Sequence, residues 1–471
     1  MPLSPVLISA LTSIVGPAHA LTAPADTKAY TEEWRGLWHG RTPLVLRPKS
    51  TAEVSAILKL AHAEGLAIVP QSGNTGLVGA QVPDESGNEI ILSLARLNAI
   101  RAVDAEGYSL TAEAGVTMRA VKDAALAVDR LYPLSIASEG SCMVGGNLST
   151  NAGGINVLAY GNAREMVLGL EVVMADGRVW NGLRALRKDN TGYDLKQLFV
   201  GGEGTLGVIT AAVLKLWPRP REIATVFVGL DSPAQALKLF QSVRAAVGPG
   251  LTAFELLPRL AIEFLLRNYA KFREPLAGKH AWYVLMDLSG ASADGTAHAT
   301  AERELGAALE AGVIEDAVIA QSLDQSQVFW NMREDLSETQ KPEGGSIKHD
   351  VSVPIAAIPE MIARGNAAVE KLMPGIRPLP FGHFGDGNLH YNMSQPVGMD
   401  KAVFLARTPE ISKLVYDIVL DLGGSISAEH GIGRLKRDQL KEVKAPLELE
   451  LMRAVKKAFD PKGILSPGRV L

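Results

Sequence analysis

The chain has 471 residues, 47% hydrophobic and 21% charged, a composition that cores two or three globular domains. A formal net charge of −4 without runs of like charge argues against a nucleic-acid or anionic-membrane partner. The single cysteine, Cys142, excludes a disulfide framework and a cysteine-based zinc site and fits a reducing compartment; its plain reading is a small buried side chain in a Gly/Ser-rich loop.

At the N-terminus VLISALTSIVGPAHA ends like a signal-peptide cleavage site, yet no Lys or Arg precedes Lys28. The stretch reads as an amphipathic helix with Leu7, Ile8, Leu11 and Ile14 on its apolar face. No apolar run of about 20 residues offers a membrane span. Residues 43–58 predict a strand, a turn and a helix capped by Ser50 or Thr51. Residues 67–80 predict a buried strand running into a glycine-rich loop, followed by strands at 89–94 and 108–114 and a helix at 117–128. Residues 138–163, rich in Gly, Asn and Ser, form a loop too long to be a mere connection. A strand at 167–175 turns at Asp176-Gly177, another covers 207–217, and Trp217-Pro218-Arg219-Pro220 marks a domain boundary. From 222 to 410 strand-like and Ala/Leu-rich helical segments alternate, as in an open sheet with helices on one face. Helices follow at 409–422 and 445–460.

Gly202-Glu203-Gly204-Thr205-Leu206-Gly207 matches G-x-G-x-x-G, but VITAAVLKLWP after it reads as a strand. A dinucleotide site needs a helix there, so the match predicts no Rossmann fold. No phosphate-binding G-x-x-x-x-G-K-[ST] loop exists. Pro70-Gln71-Ser72-Gly73-Asn74-Thr75-Gly76 could instead wrap a pyrophosphate in a nest of backbone amides. The glycines of 140–154 would let backbone approach a planar ligand. Composition alone leaves open that both loops are only turns.

PQSGNTGLVGA, GGNLSTNAGGINVLAYG, DNTGYDLKQLFVGGEGTLGVIT, FGHFGDGNLHYN, SAEHGIGRLK and LSPGRVL occur in this order. Together they resemble the FAD-dependent 2-hydroxy-acid dehydrogenases of the vanillyl-alcohol-oxidase fold type, over nearly the whole chain. The resemblance implies an α+β protein: an FAD-binding domain of two α/β subdomains (1–220), a ferredoxin-like α+β substrate-binding domain (221–420) and a C-terminal helical segment (421–471) that returns to the flavin. It assigns Pro70, Ser72, Gly73, Asn74, Thr75 and Gly76 to a first flavin loop, Ser138, Gly146, Asn147, Thr150 and Asn151 to a second, and Gly207 and Ile209 to a strand along the cofactor. Loop 70–80 has no histidine, so FAD is expected to be non-covalent. Ser466-Pro467-Gly468-Arg469 departs from the family's Asn-Pro-Gly-Lys, which removes any side-chain role of that Asn.

His383 and His390 flank Asp386-Gly387, a favoured type I′ hairpin turn. In that register 383 pairs with 390, with Cβ atoms roughly 5 Å apart, and two ring nitrogens can converge on one ion at about 2.0–2.1 Å. A wider loop could still bring them together. Asn392 would share the face of His390. With Glu429 the set becomes His₂Glu, suited to zinc first and manganese second. The substrate's 1-carboxylate and 2-hydroxyl would bind the metal, His430 would take the hydroxyl proton, Asn392 would orient the 1-carboxylate, and the C2 hydride would pass to flavin N5.

Arg333 and Ser337 stand i, i+4 on an expected helix, and Lys348 precedes an alternating strand. A planar Arg plus a Lys suits a second carboxylate; a solvated ion pair of Arg333 with Glu334 or Asp335 is the plain alternative. The set resembles the distal-carboxylate residues of D-2-hydroxyglutarate dehydrogenases, with Ser337 where some members carry Thr. D-2-hydroxyglutarate is therefore the expected substrate, with D-lactate or another D-2-hydroxy acid second. A metal-dependent hydrolase or a metal-binding non-enzyme would leave the two glycine loops unexplained. No NAD, haem or iron–sulfur motif occurs, and the resemblance implies electron-transfer flavoprotein or a quinone-linked carrier as acceptor. A homodimer and a place in the cytoplasm, or in a eukaryote the mitochondrial matrix, fit the same resemblance.

Overall fold

The computed structural model describes residues 3–471, and the chain divides into two compact units. The first comprises residues 3–153, 161–219 and 429–471; the second comprises 154–160 and 220–428. Two details differ from the expected division. Residues 421–428 belong to the second unit, because Ser425 and Ser352 exchange backbone hydrogen bonds at 2.8 and 3.0 Å. Residues 154–160, from the middle of the long Gly/Asn loop, also join it: Leu158 lies so close to Gly385 that a Cβ there would meet it at 2.6 Å. Among the described residues no helix is long and apolar enough to cross a membrane.

The first unit contains two larger sheets. In one, Ala20–Leu21, Val45–Leu46, Ile90–Ser93 and Ile68–Gln71 lie in that spatial order, and the last three run parallel. Ile90–Ser93 is fully buried, as the continuous apolar run IILS requires of a parallel strand. The helix Thr51–Glu64 begins at Ser50, whose hydroxyl accepts from Glu53 N at 3.2 Å, and ends at left-handed Gly65. Its Val54, Ile57, Leu58 and Ala61 pack with Leu11 and Val15 of the opening helix Pro5–Val15. The chain end returns to this sheet: Ile68 N donates to Ile464 O and Ser466 N to Ile68 O, both at 2.8 Å. The other sheet is antiparallel, ordered Ile100–Asp104, Ser109–Glu113, Val208–Lys215, Val167–Val173, Val179–Gly182. The glycine run 202–207 thus opens a strand, which rules out a helix dipole aimed at a pyrophosphate.

The second unit has an antiparallel sheet ordered Asp316–Ile319, Glu222–Leu230, Trp282–Gly290, Leu251–Pro258. In chain order this is 4-1-3-2, the ferredoxin-like arrangement. Ala236, Leu239, Phe240 and Val243 of the helix Pro233–Val247 and Ala297, Ala301 and Leu305 of Thr296–Glu310 join the core that covers one face. The other face carries Phe227, Leu257, Tyr283 and Leu285, packed with Phe329, Met332 and Phe381. All eight residues of Leu251–Pro258 are therefore buried. A smaller sheet is centred on Asn388–Ser394, paired with Arg377–Phe381 on one side and with Ser346–Ile347 and Asp350–Ser352 on the other.

Two local expectations are corrected. His390 pairs with Phe381 rather than His383, so the turn is not a two-residue hairpin. A 3₁₀ turn at Phe384–Asp386 widens it, and left-handed Gly387 closes it. Burial decides this: Phe384 is fully buried against Phe254 and Phe240, which a tight Asp-Gly hairpin would forbid. Arg333 and Ser337 do not share one continuous helix. Leu323–Glu334 stops at Asp335 and a short helix, Leu336–Thr339, follows.

Candidate active site

In the first unit the two glycine loops touch. A Cβ on Gly73 would collide with the Ser141 carbonyl oxygen, and one on Gly146 would lie 3.3 Å from Ser72 Cβ. The backbone N–H groups of Ser72, Gly73, Asn74, Thr75 and Gly76 donate to no oxygen within the described residues. Five such donors in succession fit a diphosphate, and Asn74 takes the left-handed conformation such a nest uses (φ 52°). The Asn74 side chain is committed elsewhere: its Nδ2 donates to Ala29 O and Glu32 O at 3.0 and 2.9 Å and so pins the loop. Pro70 lies in the strand Ile68–Gln71 that feeds the loop.

In the second loop, Ser138 O accepts from the N–H of Ser141 and Cys142, both at 2.8 Å. Asn147 Nδ2 lies 3.4 Å from Cys142 Sγ, Thr150 Oγ1 donates to Gly146 O at 3.0 Å, and Asn151 Oδ1 accepts from Arg164 N at 3.0 Å. These side chains shape the loop, whose Val144–Ser149 stretch is a short helix tied by Gly145 N to Ala114 O at 2.8 Å. Gly207 sits where a Cβ would strike Val172 and Phe199, and Ile209 is core, 2% exposed.

A residue that sequence reasoning passed over closes this region. Glu203, buried and left-handed (φ 49°), accepts from the N–H of Ile432 and Gly433, both at 2.8 Å. A Cβ on left-handed Gly431 would meet its Oε1 at 2.8 Å. Arg434 N and Leu435 N donate to Val78 O at 2.9 and 3.1 Å. The segment directly after Glu429-His430 is thus clamped between Glu203 and the loop 70–80. Burial pushes the Glu203 carboxyl above its ordinary value, against the two amides and the charge of Lys436.

In the second unit the histidines converge despite the wider turn: the rings of His383 and His390 lie 5.5 Å apart between centroids, inclined at 71°. Gly382 (φ 137°) permits this, because a Cβ there would press at 3.2 Å on His390 Cδ2. His383 Nδ1 is hydrogen-bonded to Glu255 Oε1 at 2.6 Å, which fixes the tautomer and angle of the ring. The other carboxylate oxygen of Glu255 accepts from Arg333 Nε at 2.5 Å. The Arg333 guanidinium lies over Phe381, 5.1 Å from its centroid, and the His390 ring lies 5.3 Å from the same ring. Glu255, Arg333, Phe381, His390 and His383 therefore close a ring of contacts. Burial alone would raise the Glu255 carboxyl; the charges of Arg333 and His383 and their hydrogen bonds hold it at about 2.

Arg333 is thus no solvated partner of Glu334 or Asp335 but a buried one of Glu255, 6% exposed. Its Nη1 and Nη2 make no hydrogen bond within the described residues. Lys348 Nζ donates to Ser337 O at 2.7 Å, which brings two of the three expected distal-carboxylate residues together at an exposed spot. Asn392 is buried, its Nδ2 donating to Gln340 Oε1 at 3.0 Å. Glu255 was missed because LTAFELLP reads as a core strand. The signal available was a lone carboxylate in that apolar run, which must find a partner when buried.

A family model described as FAD binding domain matches residues 42–182, and one described as FAD linked oxidases, C-terminal domain, matches 219–470. The chain is 38% identical over 459 residues to a D-2-hydroxyglutarate dehydrogenase, mitochondrial, of Danio rerio, covering 97% of this chain and 83% of that protein. It is 37% identical over 449 residues to a D-2-hydroxyglutarate dehydrogenase of Xanthomonas citri pv. viticola, covering 95% and 93%. A crystal structure of p-cresol methylhydroxylase with substrate bound superposes with a TM-score of 0.77 at 17% identity, over 98% of this chain and 96% of that one, and shares the fold. The two family models, the near-complete relatives and the amide nest together make the assignment: the chain belongs to the FAD-dependent 2-hydroxy-acid dehydrogenases of the vanillyl-alcohol-oxidase fold type.

Proposed function

We propose that the protein oxidises D-2-hydroxyglutarate to 2-oxoglutarate, with a divalent ion, zinc or manganese, held by His383, His390 and Glu429. The observation that carries the substrate choice is Arg333: a buried guanidinium fixed through Nε, with both Nη groups uncommitted, in the unit that carries the histidine pair. A planar pair of N–H groups suits the second carboxylate of a dicarboxylic acid, and D-lactate has none to offer. Lys348, beside Ser337, adds a second cation to the same task. The names of the zebrafish and Xanthomonas relatives point the same way.

The metal set rests on chain geometry. Asp350 pairs with His390 in the strand ladder, Asp350 O accepts from Ala428 N at 3.4 Å, and Glu429 is the next residue. Two imidazoles and a carboxylate are a donor set for zinc or manganese with open positions. The ion would acidify the 2-hydroxyl of the acid. His430 takes the hydroxyl proton as general base. Asn392, steadied by Gln340, orients the 1-carboxylate, and Arg333 with Lys348 holds the far one. The amides of 72–76 would hold FAD non-covalently, and the flavin would supply the acceptor for the C2 hydrogen and its electron pair. Electron-transfer flavoprotein or a quinone-linked carrier then reoxidises the enzyme. With a dye acceptor, kcat/KM for D-2-hydroxyglutarate should exceed that for D-lactate; the reverse preference would refute the substrate choice.

A further inference from the structure

Resting on the proposed function, we propose that Glu255 is a positioning residue that sets the metal ligand and the substrate cation with a single carboxylate. Oε1 takes the Nδ1 proton of His383 and turns Nε2 toward the ion. Oε2 takes the Nε proton of Arg333 and leaves both Nη groups for the acid's second carboxylate.

The backbone dictates the arrangement. Leu256 and Gly382 exchange N–H···O bonds at 2.9 and 3.0 Å, so one step along each strand Glu255 faces His383 directly. Glu255 pairs on its other side with Leu285 and shares a face with Leu257, so the carboxylate rises into an apolar layer with Phe381, Phe329 and Met332. A hydrophobic side chain would pack that layer at no desolvation cost, and burying an acid among apolar residues is a weak route to stability. What the carboxylate adds is orientation. A histidine ligand is fixed in tautomer and ring angle by an acceptor on its other nitrogen, and loss of that acceptor typically weakens metal binding about 10–100-fold. The guanidinium is steered likewise, with Phe381 beneath it. Ion affinity and preference for a dicarboxylic acid thereby share one anchor.

The test uses the purified holoenzyme, with zinc affinity read by competition with a chromophoric chelator and KM and kcat for both acids read with a dye acceptor. Arg333→Met should raise KM for D-2-hydroxyglutarate about tenfold or more and keep zinc affinity at the wild-type level. Glu255→Leu combined with Arg333→Met removes the buried pair together, which spares the fold an unpaired charge. It should retain flavin absorbance and weaken zinc ~10–100-fold relative to Arg333→Met. Zinc bound equally by the double variant and by Arg333→Met would overturn the proposal. Should the double variant lose its flavin, Glu255→Gln replaces it. Its single acceptor oxygen can serve only one partner, so either zinc affinity or the D-2-hydroxyglutarate KM must deteriorate, and retention of both would overturn it. A wild type that takes up no zinc, or that prefers D-lactate, refutes the proposed function itself, whatever the variants do.

Discussion

Glu203 in the first unit and Glu255 in the second are both buried carboxylates, each with hydrogen bonds at or under 2.8 Å, yet they are shifted in opposite directions. Glu203 accepts from two neutral backbone amides, and its carboxyl stays above the ordinary range. Glu255 accepts from a guanidinium and an imidazole and is held at about 2. Dipoles satisfy a buried acid without compensating its charge, whereas a guanidinium at hydrogen-bond distance does both. Asp287 repeats the first case: burial outweighs the hydroxyl of Thr225 and the indole N–H of Trp330, and its carboxyl stands at about 6. The two glutamates also do different work. Glu203 clamps backbone after His430, while Glu255 aims side chains.

The largest separation between them should come from deletion. Glu255→Ala leaves the Arg333 charge buried without a partner and should cost about 3–5 kcal/mol in urea unfolding. Glu203→Ala leaves two amides unpaired and should cost about 2 kcal/mol. Equal losses would break the distinction between charge and dipole. Next comes the clamp. His430→Asn should keep FAD bound and slow anaerobic flavin reduction by at least ~100-fold. Glu203→Ala should slow it by about tenfold through misplacement of the same segment; an unchanged rate would detach Glu203 from the chemistry. The smallest effect is in pH. A carboxyl raised in the fold contributes stability that is fully present below its unfolded value near 4 and is lost as pH rises through about 6. Asp287→Asn should therefore gain about 1–2 kcal/mol on the wild type at pH 8 and nothing at pH 4. A pH-independent difference would show that Thr225 and Trp330 do compensate the charge.

Much of the architecture was legible in the sequence because its signals are local. The apolar run of Val208–Lys215 excluded a Rossmann helix, and Trp217-Pro218-Arg219-Pro220 stands within a residue of the boundary between the units. The histidine pair was found for a partly wrong reason. Asp386-Gly387 obeys hairpin statistics, but the burial of Phe384, a tertiary demand, widened the turn while Gly382 kept the rings together. The loop 138–163 was marked as functional, yet nothing local announces that 154–160 leaves to pack against Gly385. Glu255 lies 128 positions from His383 and 78 from Arg333, so no spacing rule reaches it. Only the cost of a lone acid in LTAFELLP points there, and it names no partner. Glu203 was hidden inside a glycine motif dismissed for the fold it did not make.

The proposed function, a dicarboxylate-selective and metal-assisted flavoenzyme, is put to the test by anaerobic stopped-flow bleaching of the wild-type flavin with saturating D-2-hydroxyglutarate or D-lactate, before and after chelation. It predicts bleaching at least about tenfold faster with D-2-hydroxyglutarate, abolished by the chelator and restored by zinc or manganese. Equal rates with both acids, indifferent to chelation, would contradict it.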